Sequence, residues 1–150
     1  MMNRRIAVKY IKGGIAIDDR GQISFCNDFV MTGIKRFYLV SNHRSEFIRA
    51  WHGHKKESKY VFIPSGSCLF ATVKIFDWDS PNKNEKVERY VLSDKDPGIL
   101  YVPPGYAHGY KTLTSDTKVF FFSTSTLKDS VHDDFRFDPY YWNPWDIAER

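Results

Sequence analysis

Apolar or alternating runs of five to ten residues, each closed by a cluster of Gly, Pro, Asn, Asp or Ser, recur along the whole chain. Runs that short, at a period of two, suit strands and leave little room for helices of ordinary length. The pattern predicts strands at Ile15–Ile17, Ile23–Cys26, Ile34–Val40, Ile48–Trp51, Tyr60–Ile63, Cys68–Trp78, Val87–Leu92, Ile99–Val102, Gly109–Leu113 and Val119–Ser123. Turns fall at Gly13-Gly14, Asp18-Asp19-Arg20-Gly21, Pro64-Ser65-Gly66, Ser80–Asn84, Asp94–Gly98 and Pro103-Pro104-Gly105. Only Leu127–Asp133 reads as a helical turn. Ten short strands at this spacing mean an all-β sandwich or barrel.

A chain of 150 residues is long enough for one domain with a real core and too short for two of ordinary size. We expect residues 1–150 to form a single domain, with a barrel core over about 15–124 and an aromatic tail over 125–150. The tail, Phe135–Trp145, is rich in rings and interrupted by Pro139 and Pro144. It is expected to wrap the barrel or fill a dimer interface; the alternative is a ring stacked on a ligand.

Charge excludes some functions. The excess of +4 comes from 22 basic and 18 acidic residues mixed along the chain, so no basic run marks a nucleic-acid groove. A small positive excess suits an anionic small ligand. Cys26 and Cys68 stand alone, without a CxxC, as in a reduced cytoplasmic protein. The segment Met1–Tyr10 is broken by charge before an apolar run forms, so no signal peptide is expected. No apolar stretch approaches the twenty or so residues of a membrane span.

The chemistry concentrates in Arg49-Ala50-Trp51-His52-Gly53-His54-Lys55-Lys56. On a strand His52 and His54 face one way, roughly 6–7 Å apart. That spacing suits metal chelation, or proton transfer at neighbouring carbons of one substrate. Arg49 has the opposite parity to His52. For both to reach one pocket, a bulge or bend must lie between them. Downstream, Pro103-Pro104-Gly105-Tyr106-Ala107-His108 ends a strand, turns tightly and starts the next strand with a histidine.

His-x-His followed by Pro-x-Gly-x-x-His resembles the two-motif layout of the cupin superfamily. The resemblance implies a cupin-type double-stranded β-helix, a jelly-roll barrel with a pocket inside. Many cupins bind metal through these histidines and a glutamate seven residues before a glycine. Here the glycine is Gly66 and the residue seven before it is Lys59, a cation without a free lone pair. Glu57 has the strand parity of Lys59 but is out of phase with that count. We therefore expect no metal. The other chemistry is enolate formation next to a ketone, which needs a base and a positive group facing the oxyanion. A histidine and Lys59 supply these, and the fork of Arg49 suits a phosphate.

Two groups within the cupins are similar at more positions. Ile34–Val40, Arg49-x-x-His52-x-His54-Lys55-Lys56 and Ser65-Gly66-Ser67-Cys68 resemble the sugar 3,4-ketoisomerases, which act on dTDP-4-keto-6-deoxyglucose. Asp18-x-Arg20-Gly21, Arg49-x-x-His52, Lys59-x-Val61 and Pro104–Tyr110 resemble the dTDP-4-dehydrorhamnose 3,5-epimerases. The resemblance implies that His52 is the catalytic base and His54 a second catalytic histidine. It implies that Lys59 lies near the C4 oxygen, that Tyr38 lines the pocket, and that Arg20 and Arg49 grip diphosphate or sugar. It also implies that His108 lies near the substrate. An epimerase would need an acid across the pocket from His52, for which Tyr106, Tyr110 and His108 are candidates; Tyr106 is otherwise a substrate-binding candidate, and Lys55 belongs to the substrate-binding motif unless it is a solvated turn residue. Two departures count against a 3,5-epimerase. Phe121 stands where those enzymes carry an acidic tyrosine, and their base-pairing aspartate is expected beyond residue 150.

The expectation is an isomerase of a nucleotide-linked, dTDP-type 4-keto-6-deoxyhexose, acting by 3,4-ketoisomerisation. The alternatives are epimerisation at C3 or at C3 and C5, and a cupin that binds sugar nucleotide or metal without turnover. No redox cofactor is implied, because the proton moves on the substrate itself. A homodimer is implied.

Overall fold

In the computed structural model, which describes residues 6–150, nearly all of the regular secondary structure is strand. The N-terminal part of the leader reading, residues 1–5, lies outside the described residues. The strands in chain order are β1 (Lys9–Lys12), β2 (Gly14–Asp18), β3 (Gly21–Phe25), β4 (Arg36–Ser41), β5 (Ile48–His54) and β6 (Lys59–Ser65). They continue as β7 (Ser67–Lys74), β8 (Val87–Ser93), β9 (Gly98–Val102), β10 (Tyr106–Thr112) and β11 (Lys118–Ser123). A short helix α1 (Leu127–Val131) and a two-residue strand β12 (Phe135–Arg136) follow.

One sheet runs β1-β9-β6-β11-β4 and the other β12-β5-β10-β7-β8, while β2 and β3 pair only with each other. Their facing sides enclose a core of Val61, Ile63, Cys68, Phe70, Leu100, Val102, Val119 and Phe121. This is the expected all-β, antiparallel, jelly-roll type of architecture. All ten expected strands exist, and the helical turn lies where it was read. The sequence pattern missed β1, whose lysines sit at a sheet edge where charge is tolerated, and β12, which is too short to show a period. The run after β7 ends at Lys74 instead of Trp78. There Ile75 N–H turns to the Gly105 carbonyl, 2.9 Å away, and Asp77 accepts from the backbone of Asp79 and Ser80. The β6–β7 turn is closed by Gly66 at φ +78°, where a Cβ would come within 2.5 Å of Thr117 Oγ1.

The aromatic tail wraps the barrel, the first of its expected roles. It covers the outer side of the second sheet, where Trp142 and Trp145 pack with Trp51, Leu69, Ala71 and Val73. Trp51 exchanges backbone hydrogen bonds with Phe137, at 3.1 and 3.2 Å. The indole of Trp51 donates to the Trp142 carbonyl and that of Trp145 to the Pro139 carbonyl. Each buried ring is so paired at its polar end, while its area contributes about 4–6 kcal/mol as an upper figure. Among the described residues no helix is long and apolar enough to cross a membrane.

Candidate functional site

The bulge expected in β5 is present. Opposite β10, His52 pairs with His108 and Gly53 with Ala107, but the next partner of Tyr110 is Arg49. One extra residue on β5 resets the alternation. Arg49, His52 and His54 consequently all line one cavity of about 340 Å³ between the sheets. Gly109 permits this crowding, since a Cβ there would lie 2.4 Å from the Ala50 Cβ. The facing sheet contributes Arg36, Tyr38, Lys59 and Phe121, and β10 contributes His108 and Tyr110. Helix α1, capped by the Thr126 hydroxyl accepting from Asp129 N–H, closes one side with Leu127, Ser130 and Val131. Asp134 and Arg136 follow it.

The three histidines differ. His52 is partly open to the cavity, and its Nδ1 lies 3.8 Å from Asp134 Oδ1. Burial, and then the Arg136 guanidinium, pull its pKa below the ordinary histidine value, while Asp134 opposes them. A neutral His52 oriented by a carboxylate is arranged as a base. His54 is 6% exposed, with Nδ1 2.6 Å from the Asp133 carbonyl oxygen. A carbonyl only accepts, so Nδ1 donates to it and any lone pair of the ring lies on Nε2. His108 is fully enclosed, stacked on Phe70 at 5.7 Å, and its Nδ1 has no partner. Burial first, then its two histidine neighbours and Lys59, hold it well below the ordinary value. It is held neutral in the cavity wall.

Lys59 reaches the cavity from β6, 3% exposed, with its ammonium on the buried carboxylate of Glu57. Glu57 also accepts from Arg36, Ser123 and Ser130. Burial raises the Glu57 carboxyl, but the hydrogen bonds from Lys59 and Ser123 and the Lys59 charge outweigh it, leaving the pKa below the usual value. His54, Glu57 and Asp133 are close enough to suggest a cation. Their donors are engaged elsewhere. Asp133 accepts from the backbone N–H groups of Lys55, Lys56 and Glu57, and two cations already neutralise Glu57. This set fits a metal ion poorly.

Of the residues singled out in the sequence, Tyr38, Arg49, His52, His54, Lys59 and His108 come together. Three do not enter this cavity. Arg20 sits at the β2–β3 turn, its side chain 84% exposed and paired with Asp18. Lys55 follows the end of β5, and its ammonium lies over Phe135 and Trp78, at 4.7 and 5.6 Å. Tyr106 faces inward at the other end of β10, near Val8 and Glu88. The tail after α1 supplies what sequence reading missed. Asp134 puts a carboxylate beside His52 from within the chain, where such a partner was expected only beyond residue 150. Arg36 was findable from its strand parity with Tyr38. Asp134 and Arg136 carried no local signal. Phe121 does occupy the pocket wall, stacked on Tyr38 with centroids 5.0 Å apart.

The cavity lining carries four cations, Arg36, Arg49, Lys59 and Arg136, against one carboxylate, Asp134. Comparison with known proteins gives the same direction. The sequence model of the dTDP-4-dehydrorhamnose 3,5-epimerase family matches residues 8–143. A spore coat polysaccharide biosynthesis protein of Bacillus subtilis (strain 168), SpsL, is 31% identical over 102 residues. That match covers 66% of this chain and 61% of SpsL, so it spans less than two thirds of the relative. The fold is similar to that of a Bacillus anthracis dTDP-4-dehydrorhamnose 3,5-epimerase solved with TDP and PPi. The TM-score is 0.75 at 20% identity, over 95% of this chain and 86% of that one. It is also similar to QdtA, a sugar 3,4-ketoisomerase of Thermoanaerobacterium thermosaccharolyticum solved with TDP. There the TM-score is 0.68 at 21% identity, over 91% and 93% of the two chains.

Proposed function

The chain belongs to the dTDP-4-dehydrorhamnose 3,5-epimerase family, and from that premise we propose that it is an isomerase of a dTDP-linked 4-keto-6-deoxyhexose. The observation that carries the reading is His52. It is held neutral in a cationic cavity with the Asp134 carboxylate behind it and the Lys59 ammonium among the lining groups. His52 takes the proton from the carbon next to the ketone, and the C–H electron pair forms the enolate double bond. The former carbonyl pair moves to O4, where Lys59 and Arg36 offset the charge. Arg49 and Arg136 suit the diphosphate by their forks.

Within this family we favour 3,4-ketoisomerisation. His52 and His54 lie on one wall, and the free Nε2 of His54 complements the base. His52 carries the C3 proton to C4, while His54 carries the O3 proton to O4. The C3 ketone forms as the C4 ketone is lost, and no electron or proton is left over. Epimerisation is the second reading. It needs a proton donor on the opposite face, and Tyr38 of the facing sheet carries a hydroxyl that suits that role, whereas its neighbour Phe121 has no proton to give.

Arg20 belongs to the proposal through a second copy of the chain. Among the described residues the β2–β3 hairpin has no third strand, and it exposes Ile17 and Ile23, at 76% and 66%. An isolated two-stranded hairpin is marginal in water. A homodimer that covers it would bring Arg20 toward the partner's substrate.

The test is proton NMR of dTDP-4-keto-6-deoxyglucose in deuterated water with purified protein. A 3-keto product supports ketoisomerisation. Deuterium at C3 or C5 with the ketone still at C4 makes the protein an epimerase. No change at any carbon contradicts both.

A further inference from the structure

Resting on that reading, we propose that Glu57 is a positioning residue that keeps Lys59 charged and held at the cavity wall. Glu57 is 1% exposed and is absent from the cavity lining, so it does not touch substrate. Its Oε1 accepts from Lys59 on β6, Arg36 on β4 at 3.3 Å and Ser123 on β11. Its Oε2 accepts from Ser130 on α1 at 2.8 Å and lies 3.5 Å from His54 Nδ1 on β5. Five elements so converge on one carboxylate, and the Asp133 carboxylate holds the Glu57 backbone N–H at 2.8 Å.

A buried ion pair is often no more stable than apolar packing of the same volume, so stability alone accounts poorly for this cluster. Its formal charges are Lys59 +1, Arg36 +1 and Glu57 −1, which leaves +1 beside the cavity. Without Glu57 two cations would crowd one dry site. The guanidinium stays protonated, so the ammonium would yield. Lys59 would then become a neutral amine and lose its hold on the oxyanion. The same carboxylate faces the imidazolium formed when His54 Nε2 takes a proton. One buried charge thereby serves both the oxyanion side and the second histidine. The oxygens of Ser123 and Ser130 add no charge and fix where the carboxylate sits.

The experiment compares wild type, Glu57→Gln and Glu57→Asp in the full chain. One arm needs no turnover: ¹⁵N NMR of the unliganded protein detects a lysine ammonium only when hydrogen bonds slow its exchange. The Lys59 signal, assigned by its loss in Lys59→Met, is expected in wild type and absent from folded Glu57→Gln. The kinetic arm expects kcat down about tenfold or more in Glu57→Gln with KM within about threefold, and the alkaline limb of kcat moved to lower pH. Glu57→Asp keeps the charge, so its kcat falls while the alkaline limb stays. That variant decides the matter if Glu57→Gln does not fold. A Lys59 signal that persists in folded Glu57→Gln, or an unmoved kcat and limb, overturns the role of Glu57. A wild type that leaves the sugar nucleotide unchanged overturns the functional reading instead, and the ammonium signal still decides the role of Glu57.

Discussion

Trp51 and His52 are neighbours in β5, but they live in opposite surroundings. Trp51 has both backbone groups paired to Phe137 and its indole bonded to Trp142, under rings that exclude water. His52 looks into a polar cavity, with Asp134 at 3.8 Å and Arg136 beside it. The back of the strand is closed and fully satisfied. The front leaves a buried polar atom, the Nδ1 of His108, without a partner. Such groups do not stabilise the fold. Under the proposed function they are atoms left open for the substrate. Stability and reactivity are thus divided between two faces of one strand, and a side chain changed on one face should leave the other property largely intact.

The sharpest break of that division is His52→Asn. It should lower turnover by about 10²- to 10⁴-fold, as loss of a general base does, with an unchanged melting temperature. Steady-state kinetics beside a thermal melt checks both. Trp145→Ala is the mirror experiment. It should cost about 3–5 kcal/mol in denaturant unfolding, since a buried ring leaves a cavity, while the protein that remains folded keeps turning over.

Acid should separate the faces as well. His52 and His108 have lowered folded pKa values, so between those values and the ordinary histidine value the unfolded chain binds more protons. Stability is then complete above about pH 6.5 and falls as the pH drops below it. Denaturant midpoints measured against pH should follow this trend, and His108→Phe should flatten it. Because His52 acts while neutral, the acid limb of kcat should lie below the ordinary histidine value. The smallest effect is expected for Arg49→Lys: KM up about three- to tenfold through the lost fork, with kcat nearly constant.

The fold was largely legible in the sequence, because period-two runs and turn residues report the backbone directly. All ten expected strands formed, and the parity conflict between Arg49 and His52 foretold a bulge that the β5–β10 register contains. The cavity was legible where it is built by local spacing, as for His52, His54 and Lys59. It was not legible where the chain returns from far away. Asp133, Asp134 and Arg136 reach β5 only because the tail folds over the sheet edge, and no local pattern encodes that return. Glu57 is a subtler case. The sequence set it aside as out of phase with a metal-ligand position, but nothing local showed that Lys59 and Arg36 would pack on it as a counter-ion. Lys55 belonged to a motif whose histidines are in the cavity, yet the strand end carries it elsewhere, and the whole Asp18–Gly21 motif with Arg20 sits at a hairpin tip outside the cavity.

The central claim is that the front of β5 moves a proton at the carbon next to a ketone, with His52 as base. The most direct test is the initial rate of change at C3 of dTDP-4-keto-6-deoxyglucose in deuterated water, by NMR. Wild type and His52→Asn should be compared at equal folded concentration. The account predicts that C3 reacts with wild type and is essentially inert with His52→Asn, while both melt together. Equal rates at C3 in the two proteins would contradict it.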